Sequence, residues 1–99
     1  MSDVAISRIA LDAAGKLRVY PCATSADYAF IWRDASSVRS DETDRSLYVL
    51  PVDGFTVIDE LRQIVRAVEG EYRDSLFVDD STVFAVPLDL ESKLRAAAA

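Results

Sequence analysis

The side chains that could do acid–base or nucleophilic chemistry are few and scattered. None of the 99 residues is histidine. That excludes a Ser-His-Asp or Cys-His pair, imidazole zinc ligands and the one side chain that ordinarily titrates near neutral pH. Cys22 is the only cysteine. It follows Pro21, with no helix start or cationic neighbour in the sequence to favour a thiolate, so it reads as a structural thiol. The only lysines are Lys16, in a turn, and Lys93, in a helical stretch. Neither sits in an apolar run that would depress its pKa.

Carboxylates are the remaining candidates. Asp41, Glu42 and Asp44 cluster in a polar stretch, and acids at such spacing can hold Ca²⁺ or Mg²⁺. The EF-hand pattern fails, however, because Ser46 stands where glycine is needed and no acid occupies the twelfth position. The cluster reads as solvated loop charge, and Asp79-Asp80 as a turn. Neither metal nor cofactor is expected. Gly15, Gly54 and Gly70 are isolated, so no phosphate-cradling loop is present. A helix start does follow Gly54, but Asp53, Asp59 and Glu60 would repel an anion there. No pair of acids is selected by spacing for general acid–base work. The expectation is a protein with no catalytic residues.

Charge narrows the partners. Seventeen acids against eleven bases leave a formal charge of −6, which disfavours nucleic acid and suits solubility or a basic protein partner. A lone cysteine fits a reducing compartment. The N-terminal residues show no signal-peptide pattern, and no apolar run approaches the roughly 18–20 residues of a membrane span. The reading is cytoplasmic, without membrane contact.

These residues must be positioned by a small core. About 100 residues, 51% of them hydrophobic, suffice for a single domain, 1–99. Val4–Leu11 and Leu17–Tyr20 read as a hairpin turning at Gly15. Leu17 and Val19 share one face there, and Arg18 and Tyr20 the other. The apolar parity flips between Ile6 and Ile9, which predicts a bulge near Ser7–Arg8. A short helix over residues 3–9 is the competing reading, and Pro21 ends the second strand. Tyr28–Arg33 reads as a third strand and Leu47–Val52 as a fourth, joined by the polar stretch Ala35–Ser46. Val57, Ile58, Leu61, Ile64, Val65, Val68 and Tyr72 then recur at the helical period. Asp53 or Thr56 is positioned to cap that helix, and Gly70 leaves its end, Glu69–Asp74, open to fraying. Leu76–Val78, the turn at Asp79-Asp80-Ser81 and the strand Thr82–Val86 follow, then Pro87 and a short helix Leu90–Ala97 capped by Asp89. The fold class is α+β: an antiparallel sheet of four to five strands in ββββαβα order, with one main helix across one face and a short C-terminal helix. The fourth strand, main helix and last strand are placed to form one crossover.

Strands three to five carry bulk on both faces, whereas a sheet with one solvated face alternates. The main helix covers only one face. The short helix, a second copy, a partner or a ligand must cover the other. The aromatic row Tyr28, Phe30 and Trp32, with Tyr48, is the candidate interface or pocket. The competing reading makes it the core under the main helix. Arg33 and the acids Asp41, Glu42 and Asp44 complete the candidate binding residues. Arg33, Arg39 and Arg45 alternate with acids across the long loop, and Arg and Trp commonly anchor interfaces, the competing reading being an ordinary solvated loop.

The segment from Tyr28-Ala29-Phe30-Ile31-Trp32-Arg33-Asp34 through Asp41, with Leu47-Tyr48, resembles a pattern in small α+β proteins of mobile gene arrays, among them immunity-type and integron cassette proteins. The resemblance implies a non-enzymatic binding protein and carries over no catalytic residue. The expected function is a protein-interaction module that self-associates as a homodimer or binds a partner protein, an inhibitor of a basic toxin or nuclease being one version. The alternative is a small-ligand carrier or sensor with an aromatic pocket between sheet and helix.

Overall fold

A computed structural model describes residues 2–22, 28, 31–33, 37–51 and 53–98, and does not describe the side chains of Ser2, Trp32 and Ala98. The architecture is α+β: a mixed, mostly antiparallel sheet with two helices. Strand β1 (Ser2–Leu11) turns into β2 (Leu17–Pro21). The turn is held by the Asp12 carboxylate, whose Oδ1 accepts from the Ala14 and Lys16 amides, each at 2.9 Å. Gly15 takes φ +79° there, a backbone angle that side chains disfavour.

The expected bulge is present. The β1–β2 register shifts between Ile6 and Arg8, so Val4 and Ile6 point inward before it and Ile9 after it. Two hydroxyls satisfy the disturbed ladder. Ser7 Oγ donates to the Tyr20 carbonyl at 2.8 Å. On the other edge, β1 pairs in parallel with β5 (Asp74–Phe77) over Ser2–Ala5 and with β6 (Val83–Ala85) over Arg8–Ala10. At the handover, buried Thr82 donates its hydroxyl to the Ile6 carbonyl at 2.7 Å. An unmet buried carbonyl there would be destabilising.

The third strand is not Tyr28–Arg33. Ile31–Arg33 forms a 3-10 turn, closed by the Ile31 amide on the Tyr28 carbonyl at 3.0 Å. The strand lies later, as β3 (Val38–Ser40), inside the stretch read as loop. A three-residue strand with one buried position, Val38, gives no period to detect. β3 pairs with β4 (Leu47–Val49), and β4 with β2. The sheet order is β3-β4-β2-β1-β5, with β6 also on β1, six strands among the described residues.

Helix α1 (Val57–Tyr72) starts at a reciprocal cap: the Asp59 amide donates to Thr56 Oγ1 at 3.2 Å, and the Thr56 amide to Asp59 Oδ2 at 3.0 Å. It runs through Gly70 and stops at Arg73, which adopts the left-handed conformation, φ 58°, and donates its amide to Glu69. No fraying end follows, because β5 begins at once and pairs with β1. α1 carries the chain from β4 across β2 and β1 to β5. Through the antiparallel pairs β4–β2 and β2–β1, β4 runs parallel to β5 and β6, so β4, α1 and the strands after it form the expected crossover, which passes over β2 and β1. Helix α2 (Leu88–Ala98) begins two residues before the expected Leu90, with Pro87 rather than Asp89 accepting the first helical hydrogen bond.

Both helices lie on one face. Leu61, Ile64, Ala67 and Val68 of α1 and Leu94 of α2 join Ile6, Ile9, Leu17, Val19, Val38, Leu47 and Val49 in one core. Glu60, also buried, links α1 to the hairpin by accepting from Lys16 Nζ at 3.0 Å and the Leu17 amide at 3.4 Å.

Candidate protein-interaction face

Alternation places every second strand residue on the face turned away from the helices. The registers order them in two rows. Arg39, Tyr48, Arg18, Ala10 and Ala85 lie level across β3, β4, β2, β1 and β6. The second row holds Tyr20, Arg8 and Val83. Arg8, Val83 and Ala85 are exposed in these rows, whereas Ala10 is buried and Arg18, Tyr20, Tyr48 and Arg39 are half-buried. The expectation of apolar bulk on both sheet faces is thereby corrected. Leu47 and Val49 face inward, Leu50 falls beyond the end of β4, and Phe84 packs against the core side. The face carries stacked cations and phenols instead of an apolar patch.

Arg18 organises it. Its guanidinium sits 4.2 Å from the centre of the Tyr48 ring. Nε donates to Asp12 Oδ2 at 3.3 Å, and Nη1 to Asp41 Oδ2 and Ser46 Oγ, each at 3.1 Å. Burial opposes the charge on Arg18, but the bonds and charges of Asp12 and Asp41 outweigh it and raise its pKa. Asp12 is pulled below the usual carboxylate range, first by the Lys16 amide and, with burial opposing, by the Ala14 amide and Arg18.

A second cluster continues across the face. Buried Ser46 donates its hydroxyl to Asp44 Oδ1 at 2.7 Å and its amide to the same oxygen at 3.0 Å. Tyr20 donates its phenol to Asp44 Oδ2 at 3.3 Å, and Arg8 stacks 5.6 Å from the Tyr20 ring centre. The Ser46 hydroxyl, against opposing burial, lowers the Asp44 pKa, with the Ser46 amide and Tyr20 adding to it. Burial, then the Asp44 charge, raises that of Tyr20. These bonds fold the β3–β4 turn against β2, helped by Arg45 at φ 61°.

The sequence-derived candidates divide. Tyr48, Asp41 and Asp44 come together here, and Glu42 is exposed in the turn between the two acids. Tyr28 lies on the helix side, 6% exposed. Its phenol donates to Asp74 Oδ2 at 3.0 Å, and its ring meets Tyr72 edge-on at 4.8 Å. Burial, then Asp74, raises its pKa. Arg33 is on that side as well, with Nη1 3.9 Å from Glu71 Oε1. Phe30 and the Trp32 side chain lie outside the described residues. Tyr28 packs inside and Tyr48 faces out, so the two belong to opposite sides of the sheet. Arg39, one of the loop arginines, lies in the first row. Arg8, Arg18 and Tyr20 are not among the candidates, although the alternation Leu17/Arg18/Val19/Tyr20 already sets Arg18 and Tyr20 on one face.

Among the described residues no group of three or more Cys, Asp or Glu is placed to hold a metal ion, and no helix is long and apolar enough to cross a membrane. No family model and no curated protein matches the chain. Among solved structures it is similar to the integron cassette protein Hfx_Cass5, from the mobile metagenome of the North West Arm sewage outfall. Identity is 27% over 99% of this chain and 97% of that one, with a TM-score of 0.48.

Proposed function

We propose that this chain is a non-enzymatic protein-interaction module of the cytoplasm that binds another protein chain through the outer face of its sheet. The observation that supports this reading is the Arg18–Tyr48 stack with its braces Asp12, Asp41 and Ser46. Tyrosine and arginine are the residue types enriched at interface cores and hot spots. Here they are held before any partner arrives, which lowers the entropy lost on binding. The carboxylates nearby act as braces for arginine, tyrosine and backbone, a structural use rather than a reactive one. The acid excess lies elsewhere. Arg8, Arg18 and Arg39 balance Asp12, Asp41 and Asp44 on this face, and the turn adds Glu42 and Arg45, one of each sign. The face therefore does not itself select a basic partner.

Binding by the intact protein tests the reading. Sedimentation measures self-association, and capture from host lysate measures other partners. A paired Tyr20→Ala/Tyr48→Ala variant should lose the bound protein, whereas Arg62→Ala/Arg66→Ala, on exposed positions of α1, should keep it. Binding that ignores the paired variant would overturn the assignment of this face.

A further inference from the structure

We infer that the occupant of the outer face is a second copy of this chain, related by a two-fold axis running along the strands between β1 and β2. The inference rests on the interaction reading above and names its partner. Shape is the first argument. On one side of that axis β4 and β2 raise a ridge, Tyr48, Arg18 and Tyr20. On the other side the same row falls away to Ala85, an exposed methyl group, with Val83 beside it 59% exposed, while Ala10, between Arg18 and Ala85, lies low in the sheet at 7% exposed. Rotation about the axis turns the sheet over, exchanges left with right and keeps each row in place. Each ridge then descends on the other copy's low side: Tyr48 over Ala85, Arg18 over Ala10, and Tyr20 onto the second copy's Arg8. An isologous interface requires this reciprocity, since each contact occurs twice. Packed sheets keep their strands within about 30° of one another, so the rows match best next to the axis, on β1 and β2.

Charge is the second argument. A chain of formal charge −6 repels its own copy at most approaches. The two rows and their braces sum to zero, with Arg8, Arg18 and Arg39 against Asp12, Asp41 and Asp44, and Asp3, exposed at the far end of β1, lies beyond them, so two copies meet over these rows without net repulsion. The apolar Val83 also leaves water on assembly, although it has no core role in the single chain.

Sedimentation velocity of the full chain over a concentration series, with circular dichroism to confirm folding, tests this. The wild type should sediment as a concentration-dependent dimer. Ala85→Arg, at an exposed position where folding tolerates it, puts a guanidinium where the second copy's Tyr48 must sit. It and Tyr48→Ala should each weaken the dimer about tenfold or more, with Arg62→Ala unchanged. In a Cys22→Ser background, a short bis-maleimide should join Tyr48→Cys chains to Ala85→Cys chains in preference to like with like. A monomer at every concentration, or a dimer indifferent to both variants, overturns the inference. A monomer that still binds another protein through Tyr48 overturns only the second copy. One that binds nothing through this face overturns the interaction reading too.

Discussion

Along β2, Leu17 and Val19 point toward the helices and are fully buried, while Arg18 and Tyr20 point away and remain half-buried. These four residues thus serve two differently built faces. The inner one is held by removing aliphatic side chains from water, which is non-directional and worth roughly 25 cal/mol per Å². The outer one is held by stacks and hydrogen bonds of fixed geometry, each worth about 1 kcal/mol or less where water reaches it. Stability should therefore depend on the inner face and recognition on the outer. A substitution that weakened folding and binding equally, on either face, would break that division.

The largest effect belongs to the inner face. Leu61 and Ile64 are fully buried in the middle of α1. Leu61→Ala should lower unfolding free energy by about 2–5 kcal/mol, from lost burial plus the cavity left behind. Val83→Ala, at an exposed position of the outer face, should stay within about 0.5 kcal/mol. Urea titration of both variants checks the contrast.

How much of this was legible in the sequence follows from the same division. The seven apolar positions of α1 announce the helix because one face of a 3.6-residue period must be buried. The parity flip between Ile6 and Ile9 announces the bulge because strand alternation has period two. β3 was hidden, since three residues carry no period. Tyr28–Arg33 misled because Tyr28 and Ile31, which an extended strand would turn to opposite faces, are both buried. Of the face, Tyr48, Asp41 and Asp44 were found as an outward aromatic and a loop cluster. Arg18, the residue that joins them, was missed as a partner for Asp41. The two lie 23 residues apart, a contact that only sheet register creates. The strand that β5 and β6 join was equally invisible, because no local pattern says that they choose β1 over β4.

Between the faces lies the handover on β1. Thr82→Val keeps the shape but removes the hydroxyl from the Ile6 carbonyl and from the Asp79 amide, which donates to it at 3.0 Å. Leaving buried groups unmet should cost about 1–3 kcal/mol and expose the β6 amides to faster hydrogen exchange. A neutral result would mean that water replaces the hydroxyl and that the seam is not sealed. Arg18→Ala comes next. It removes the Tyr48 stack and frees Asp12 and Asp41, but its side chain is 21% exposed. A loss of about 1 kcal/mol is expected, with a larger fall in dimer affinity. The comparison sharpens if that ratio is reversed in Leu61→Ala.

The smallest effect is also the most specific to the outer face. Hydrogen bonds from Ser46 and Tyr20 hold Asp44 below its ordinary value, about 3.9 for an aspartate. A folded-state pKa below the unfolded one means that the unfolded chain binds the proton first as pH falls. The contribution is therefore complete above about pH 4 to 5 and disappears as pH drops through the folded value. Asp44→Asn keeps the size of the side chain and loses its charge. Because Asp44 is exposed, the variant should be less stable by under about 1 kcal/mol at pH 7. The difference should narrow toward pH 2.5, as the wild-type carboxylate takes up its proton. Urea midpoints at the two pH values measure this, and Leu61→Ala supplies the contrast, since a buried aliphatic loss has no pH term of its own. An Asp44→Asn deficit that persists unchanged at low pH would show the turn to be held by shape alone. The outer face would then be built more like the inner one than its charges suggest.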